Sequence, residues 1–338
     1  MVLIHNYGLA IFFFTVSMIC WGSWANTMKL AAKTWRFELF YWDLTLGLLL
    51  TATLAAFTVG SMGSEGRPFL QDLAQADGSS IRSAMLGGIV WNLGNILLTA
   101  AIAVAGMSVG FPIGGGLAWV LGIAFNFILV WIDKGSPQGN VPLLLIGVAL
   151  IIAAIYLSML SYKRLAREQK KTSGKGILLS VGAGLLIAFF YGLVVKSLDN
   201  SFVSGGAGKL TPFTGVFFFA VGVAVSTLVF NPIFMRYPVE GAPVKMKDYF
   251  KGSLASHSTG LLGGLIWMTG MTVSFMSAGA ANPAISYALS NAAPVVAILW
   301  GVFIWKEFKE APKGTNRLLT IMFIAFILAL VLISMSNS

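Results

Sequence analysis

The stretch Gly87–Trp119, GGIVWNLGNILLTAAIAVAGMSVGFPIGGGLAW, decides how the chain is read, because part of it returns. Gly87-Gly88, Trp91 and Gly94 recur as Gly263-Gly264, Trp267 and Gly270, each 176 residues on. In each copy the motif sits in an apolar segment, and a second apolar segment rich in helix breakers follows. The first has Gly110, Pro112 and Gly114 to Gly116; the second has Pro283 and Pro294. Paired, interrupted hydrophobic segments at matching places in two halves point to a duplicated transporter with its binding site between the halves. Both interrupted segments, the fourth and the ninth, are therefore expected either to be broken helices that free backbone groups toward a cavity or to carry kinks made only for packing.

Composition places the repeat in a membrane. Of the 338 residues 57% are hydrophobic and only 10% charged, with a mean hydropathy of +0.84. A spanning helix needs about 20 mostly apolar residues. Ten such runs are expected at roughly 8–30, 37–60, 83–106, 109–132, 141–161, 176–198, 211–235, 253–278, 283–305 and 317–335. The fold class is an all-α membrane protein of ten transmembrane helices in two inverted five-helix repeats. Residues 1–162 form the first repeat, 163–175 a basic cytoplasmic linker and 176–338 the second repeat. The first run lacks a small-residue cleavage site and reads as a retained helix. A single cysteine, Cys20, leaves no internal disulfide.

The net charge of +10 is a matter of topology. Seventeen of the 22 lysines and arginines cluster at alternate helix ends: Lys29, Lys33 and Arg36; Lys163, Arg164, Arg167, Lys170, Lys171 and Lys175; Arg236, Lys245, Lys247 and Lys251; Lys306, Lys309, Lys313 and Arg317. The positive-inside rule makes that side cytoplasmic and, with ten spans, puts both termini outside a multi-pass cell membrane, inner or plasma. The lipid bilayer is thus a partner, and nucleic acid is not expected to be one.

Polar residues inside the runs mark candidate sites. The first run carries Trp21, Gly22, Ser23, Trp24, Asn26 and Thr27, and the sixth echoes it loosely with Tyr191-Gly192 and Lys196-Ser197. The second opens WRFELFYWD, which sets Glu38 near the interface, paired with Arg36 or Lys33 where solvent screens it, and Asp43 deeper. An acid within a span is a functional hypothesis by default, so Asp43 reads either as a coupling acid or as the partner of a buried polar group. Gly88, Asn92, Asn95 and Thr99 share one helix face. They either bind a solute or hold helices together. His257, Gly260 and Gly264 form a similar face, with GxxxG spacing favouring close packing. Ser286, Tyr287, Ser290 and Asn291 lie between the two prolines of the ninth run. Lys196 is expected to pair locally with Asp199 or to neutralise Asp43. The run FLQDLAQAD at 69–77 suggests a surface helix on the outer face without chemistry. No catalytic triad, metal-binding pair, Walker loop or Rossmann fingerprint is present, so no cofactor and no enzyme is expected.

Several of these stretches match one family. Asp43, FTVG at 57–60, PFLQDLAQ at 68–75, GGIVWNLGN at 87–95 and GMSVG at 106–110 resemble the ureide permeases, whose counterparts are an aspartate, an FTFG-like run, FLxQLAQ and GGIVxxLGN. The match is specific over about 40–135. More broadly the chain resembles the ten-helix drug/metabolite transporter superfamily, including the bacterial glucose, ribose and rhamnose porters. The resemblance implies inverted repeats, a central solute site and proton-coupled uptake, with the family aspartate at Asp43 and the motif asparagine at Asn95. The short basic linker departs from the long central loop of the plant permeases, so regulation through that loop is not implied.

The combined expectation is proton-coupled uptake of a small polar uncharged solute, a monosaccharide or a ureide or nucleobase, by alternating access. Its partners are that solute and protons. Asp43 and Glu38 are the proton-coupling candidates; Trp21, Trp24, Asn26, Trp91, Asn92, Asn95, Trp267, Tyr287 and Asn291 are the solute-binding ones. Trp91 and Trp267 are expected on opposite sides of one solute. The competing reading is an exporter of metabolites or drugs on the same fold.

Overall fold

The computed structural model describes residues 1–31, 35–169, 174–199 and 207–337. Lys33, Lys170 and Lys171 lie outside the described residues, as does the middle of the 163–175 linker; the side chain of Arg167 is likewise undescribed. Among the described residues there are ten apolar helical spans, numbered here in chain order. Spans 1 to 5 are Tyr7–Leu30, Phe37–Phe57, Gly78–Ala105, Met107–Lys134 and Val141–Gln169. Spans 6 to 10 are Gly174–Ser197, Pro212–Arg236, Leu254–Met276, Pro283–Ile304 and Thr315–Met335. Two short helices, Phe69–Gln75 and Met246–Tyr249, lie in the 2–3 and 7–8 connections. The former is the expected surface helix. The connection between spans 5 and 6 is shorter than expected, because span 5 continues as helix through Gln169.

Local chemistry fixes the ends of the spans. Asn6, Asp77, Ser253 and Asn282 each accept from a backbone N–H three residues on, satisfying one of the free donors of the first turn. Spans 3 and 4 are joined through Gly106 alone. Its φ of 83° with ψ of 160° is a conformation essentially reserved for glycine.

The two interrupted segments divide between the two readings. Span 9 is broken: Pro283 opens a helix ending at Ser290, and Pro294 opens a second helix that passes into a π turn over Trp300–Ile304. Span 4 is a continuous helix containing Pro112. Pro112 falls early in the helix, where few backbone bonds are lost. The glycines after it serve packing: a Cβ on Gly114 would lie 3.0 Å from the Ser180 carbonyl oxygen, and one on Gly116 would lie 3.0 Å from the Ile155 side chain. The other interruption is in span 1, where helix Tyr7–Ser23 gives way at Trp24 and Ala25 to Asn26–Leu30.

The repeated glycines explain how the spans pack. Small residues let membrane helices approach backbone to backbone. A Cβ on Gly88 would lie 2.1 Å from the Phe219 carbonyl oxygen in span 7, and one on Gly264 would lie 2.2 Å from that of Leu44 in span 2. The facing glycines answer: Gly222 abuts the Met85 carbonyl, and Gly47 abuts that of Leu261. Gly87 and Gly94 receive Val194 and Ile187 of span 6, while Gly263 and Gly270 receive Thr27 and Cys20 of span 1. Gly22 meets Val296 of span 9, and Gly192 meets Phe125 and Leu129 of span 4. Exchanging the two halves therefore turns each contact into another observed contact. Spans 5 and 10 pack on each other at the periphery, each with 28% of its apolar window buried against 67% for span 9.

Candidate functional site

A cavity of about 50 Å³ lies where spans 1, 3, 4, 6, 8 and 9 converge. Trp267 forms its aromatic wall with two neighbours, Trp91 at 4.1 Å between ring centroids and Trp21 at 5.5 Å, and outside the lining it stacks on Phe219 at 5.7 Å. The equivalent tryptophans of the two repeats touch each other. They do not stand on opposite sides of a solute-sized gap, because the two indoles themselves meet between spans 3 and 8.

Hydrogen bonds separate the candidate residues. Trp21, Trp24, Trp91, Asn95, Trp267 and Asn291 line the cavity; Asn26, Asn92 and Tyr287 do not. Asn92 accepts from the Tyr41 hydroxyl at 2.8 Å and donates to Ser226 Oγ at 2.8 Å and Thr227 Oγ1 at 3.0 Å. It is saturated between spans 2, 3 and 7. Asn26 donates to the Ser23 carbonyl and accepts from Trp305 Nε1 at 2.6 Å, tying the break in span 1 to the end of span 9. The Tyr287 hydroxyl donates to the Ala118 carbonyl at 2.9 Å, and its ring fills the space over Gly122.

The cavity residues keep free polar atoms. Asn95 Nδ2 donates to the Tyr41 hydroxyl at 3.2 Å and Asn291 Nδ2 to the Tyr287 carbonyl at 3.1 Å. Both amide oxygens accept nothing among the described residues, nor do the indole N–H groups of Trp24, Trp91 and Trp267 donate, although Trp21 donates to the Trp267 carbonyl. The lining therefore offers acceptors and donors on an aromatic and aliphatic surface, and it contains no charged side chain.

Asp43 occupies a different place. Its carboxylate is buried near the basic end of span 2, where it accepts from the Tyr249 hydroxyl at 2.6 Å and meets His257 Nδ1 at 3.0 Å through both oxygens. Trp35 covers this group, edge-on to His257 at 4.9 Å. Burial first, then the hydrogen bond and charge of Asp43, push the Tyr249 hydroxyl well above the usual tyrosine range, which keeps it a donor. Ten residues of helix separate His257 from Trp267, about 15 Å at 1.5 Å per residue. Asp43 is thus remote from the cavity. Glu38 is paired with Arg36 as one alternative had it, but is fully buried and not screened by solvent; Arg36 also reaches the Ala242 carbonyl. Neither option for Lys196 is realised: Asp43 has Tyr249 and His257, Asp199 binds Arg67, and Lys196 is exposed.

One polar cluster had no signal in the sequence. Arg67, only 2% exposed, binds Asp72 at 2.8 Å and Asp199 at 3.0 Å, and donates to the Lys209 carbonyl. Asp72 also accepts from the Thr211 N–H and from Gln75. These groups, at the end opposite the basic loops, join the 2–3 connection to the 6–7 connection. Pairing over 132 residues leaves no local pattern to read.

Ten apolar spans around a central, uncharged cavity of aromatic and amide groups define a membrane transporter of small solutes. The comparisons give its family. The ureide permease profile matches residues 40–175 and 151–336, and the chain belongs to the ureide permease family. Its relatives include ureide permeases 1 and 2 of Arabidopsis thaliana, each 25% identical over the whole of this chain and 99% of theirs. A probable glucose uptake protein, GlcU, of Staphylococcus aureus (strain N315) is 27% identical over 69% of this chain and 71% of its own. A crystal structure at 15% identity matches 97% of this chain and 99% of its own with a TM-score of 0.54, a likeness in fold alone.

Proposed function

We propose that the protein takes up a small, polar, uncharged solute, a monosaccharide or a ureide or nucleobase, by proton-coupled alternating access across the cell membrane. The observation that carries this reading is the cavity lining: free amide oxygens and indole N–H groups on an aromatic wall, with no charge. A charged solute would be left without a counter-ion there, at a large desolvation cost. A purely apolar solute would leave the free polar groups unmet. The names of the relatives, ureide permease and glucose uptake protein, agree with that chemistry.

Size and symmetry support alternating access. A void of about 50 Å³ suits one or two waters at about 30 Å³ each and is smaller than a sugar, so loading requires the walls to part. Two halves of five spans, whose contacts exchange into one another, suit an inverted repeat, in which one half rocks against the other around a fixed site. The basic end is assigned to the cytoplasm and both termini to the outside. Asp43 is assigned the coupled proton. Glu38, held by Arg36, is assigned to anchoring the 7–8 connection.

The test is a thermal-shift screen of the purified transporter against hexoses and pentoses, allantoin, uracil and xanthine, and charged or hydrophobic controls. A ligand that binds only the folded state raises the melting temperature by mass action. One of the neutral classes should stabilise. Stabilisation by the hydrophobic set alone would replace uptake of a polar solute with the export of greasy ones.

A further inference from the structure

Three chain segments meet at Asp43, and their geometry points to more than a lone carboxylate. Asp43 belongs to span 2, His257 to span 8 and Tyr249 to the short helix Met246–Tyr249 in the 7–8 connection. The His257 side chain is 25% exposed and that of Asp43 only 6%, so the imidazole is the member of the pair more open to water at the basic end. Helix Met246–Tyr249 contributes no buried residue of its own. Its main polar anchor to the bundle is the Tyr249–Asp43 hydrogen bond. Behind it, a Cβ on Gly252 would lie 2.4 Å from the Trp35 ring and 2.6 Å from His257 Nε2, so the chain is pressed onto the same cluster.

We infer that Asp43 and His257 hold the coupled proton as a pair, and that the protonation of this pair decides whether helix Met246–Tyr249 of the 7–8 connection stays docked across the basic end. The inference rests on the assignment of coupling to Asp43 and adds His257 as a second carrier and Tyr249 as a positioning residue. With Asp43 ionised, Tyr249 and His257 both make charge-assisted hydrogen bonds to it, roughly twice as strong as neutral ones. A proton arriving on a carboxylate oxygen removes that charge, both bonds weaken, and Tyr249 is released. The other charges nearby do not replace this pair. Glu38 on the same helix is matched by Arg36, and Asn231 of span 7, which donates to the Glu38 carbonyl, is neutral. Within the connection, the Asp248 carboxylate is engaged by the Lys245 N–H, and Lys245, Lys247 and Lys251 are exposed cations.

The experiment measures the distance between spin labels at Lys247→Cys and Lys313→Cys, in a Cys20→Ala background reconstituted in liposomes, from pH 8 to pH 5. Wild type should gain a longer-distance population as pH falls. Asp43→Asn should show that population at every pH, and His257→Gln should move the midpoint while keeping the two populations. Tyr249→Phe, which keeps the ring, should enlarge the long population at pH 8. A pH-independent distribution, or an unchanged pH response in Asp43→Asn, overturns the latch. Solute accumulation in the same liposomes separates the two ideas: loss of uphill uptake in Asp43→Asn with no distance change keeps the assignment of coupling to Asp43 and removes only the latch.

Discussion

Asn92 and Asn95 lie three residues apart on one helix face, and their surroundings give them different work. Asn92 is enclosed by Tyr41, Ser226 and Thr227, whereas Asn95 shares only one bond with Tyr41 and turns its amide oxygen to the cavity. Asn92→Ala should strand buried partners and lower stability by about 1–3 kcal/mol, seen as a reduced melting temperature with solute affinity unchanged. Asn95→Ala should remove one solute hydrogen bond, about 0.5–1.5 kcal/mol, which is a weakening of roughly 2- to 13-fold, measured by titration of the stabilising solute. Equal effects on affinity from both variants would contradict the division. The sequence made both asparagines candidates because periodicity reports a shared face and not what stands opposite it. Tyr249 and Arg67 escaped notice for a related reason: their partners are 206 and 132 residues away.

Among the helices, position and length were readable because hydrophobicity is a local property; the expected runs coincide with the observed spans to within about five residues, except that span 5 runs eight residues further as a polar helix end. Discontinuity was less readable. Proline and glycine mark span 4 as strongly as span 9, but Pro112 sits early in its helix and the glycines beside it receive neighbouring chains, while Pro283 and Pro294 each open a new helix. The 176-residue repeat records crossings: each glycine of one copy has a counterpart doing the same job in the other. Gly88→Ala and Gly264→Ala should therefore be comparably damaging, each driving a methyl group into a facing carbonyl and overpacking the crossing by about 1–3 kcal/mol. Gly182→Ala is the control. A Cβ there meets nothing nearer than 3.6 Å, and replacing a helix-interior glycine favours the helix by roughly 0.5–1 kcal/mol. Thermal melts in one detergent would compare the three, and a Gly182→Ala loss as large as the others would show that close approach is not the cause.

At the scale of the whole molecule, charge asymmetry is the feature that orients the bundle. The described lysines and arginines of the alternate helix ends gather on one face, crossed by the Lys29–Glu307 and Arg36–Glu38 pairs. Exposed positions on the two faces give a direct check: with Cys20→Ala as background, Gln138→Cys should react with an impermeant thiol reagent on intact cells and Lys309→Cys should not. The opposite pattern would invert the topology and turn proposed uptake toward export. The cluster at the other face bears on how the molecule is made. Arg67 and Asp72 leave the ribosome together in the first half, so the arginine has one acid from the start. Asp199 follows only after span 6, and the Lys209 carbonyl and Thr211 N–H that complete the cluster follow it. The order of synthesis thus makes this cluster a late fastening: the first five helices can be threaded into the bilayer with their charge already balanced, and the second set is buttoned onto them when residues 199–211 arrive.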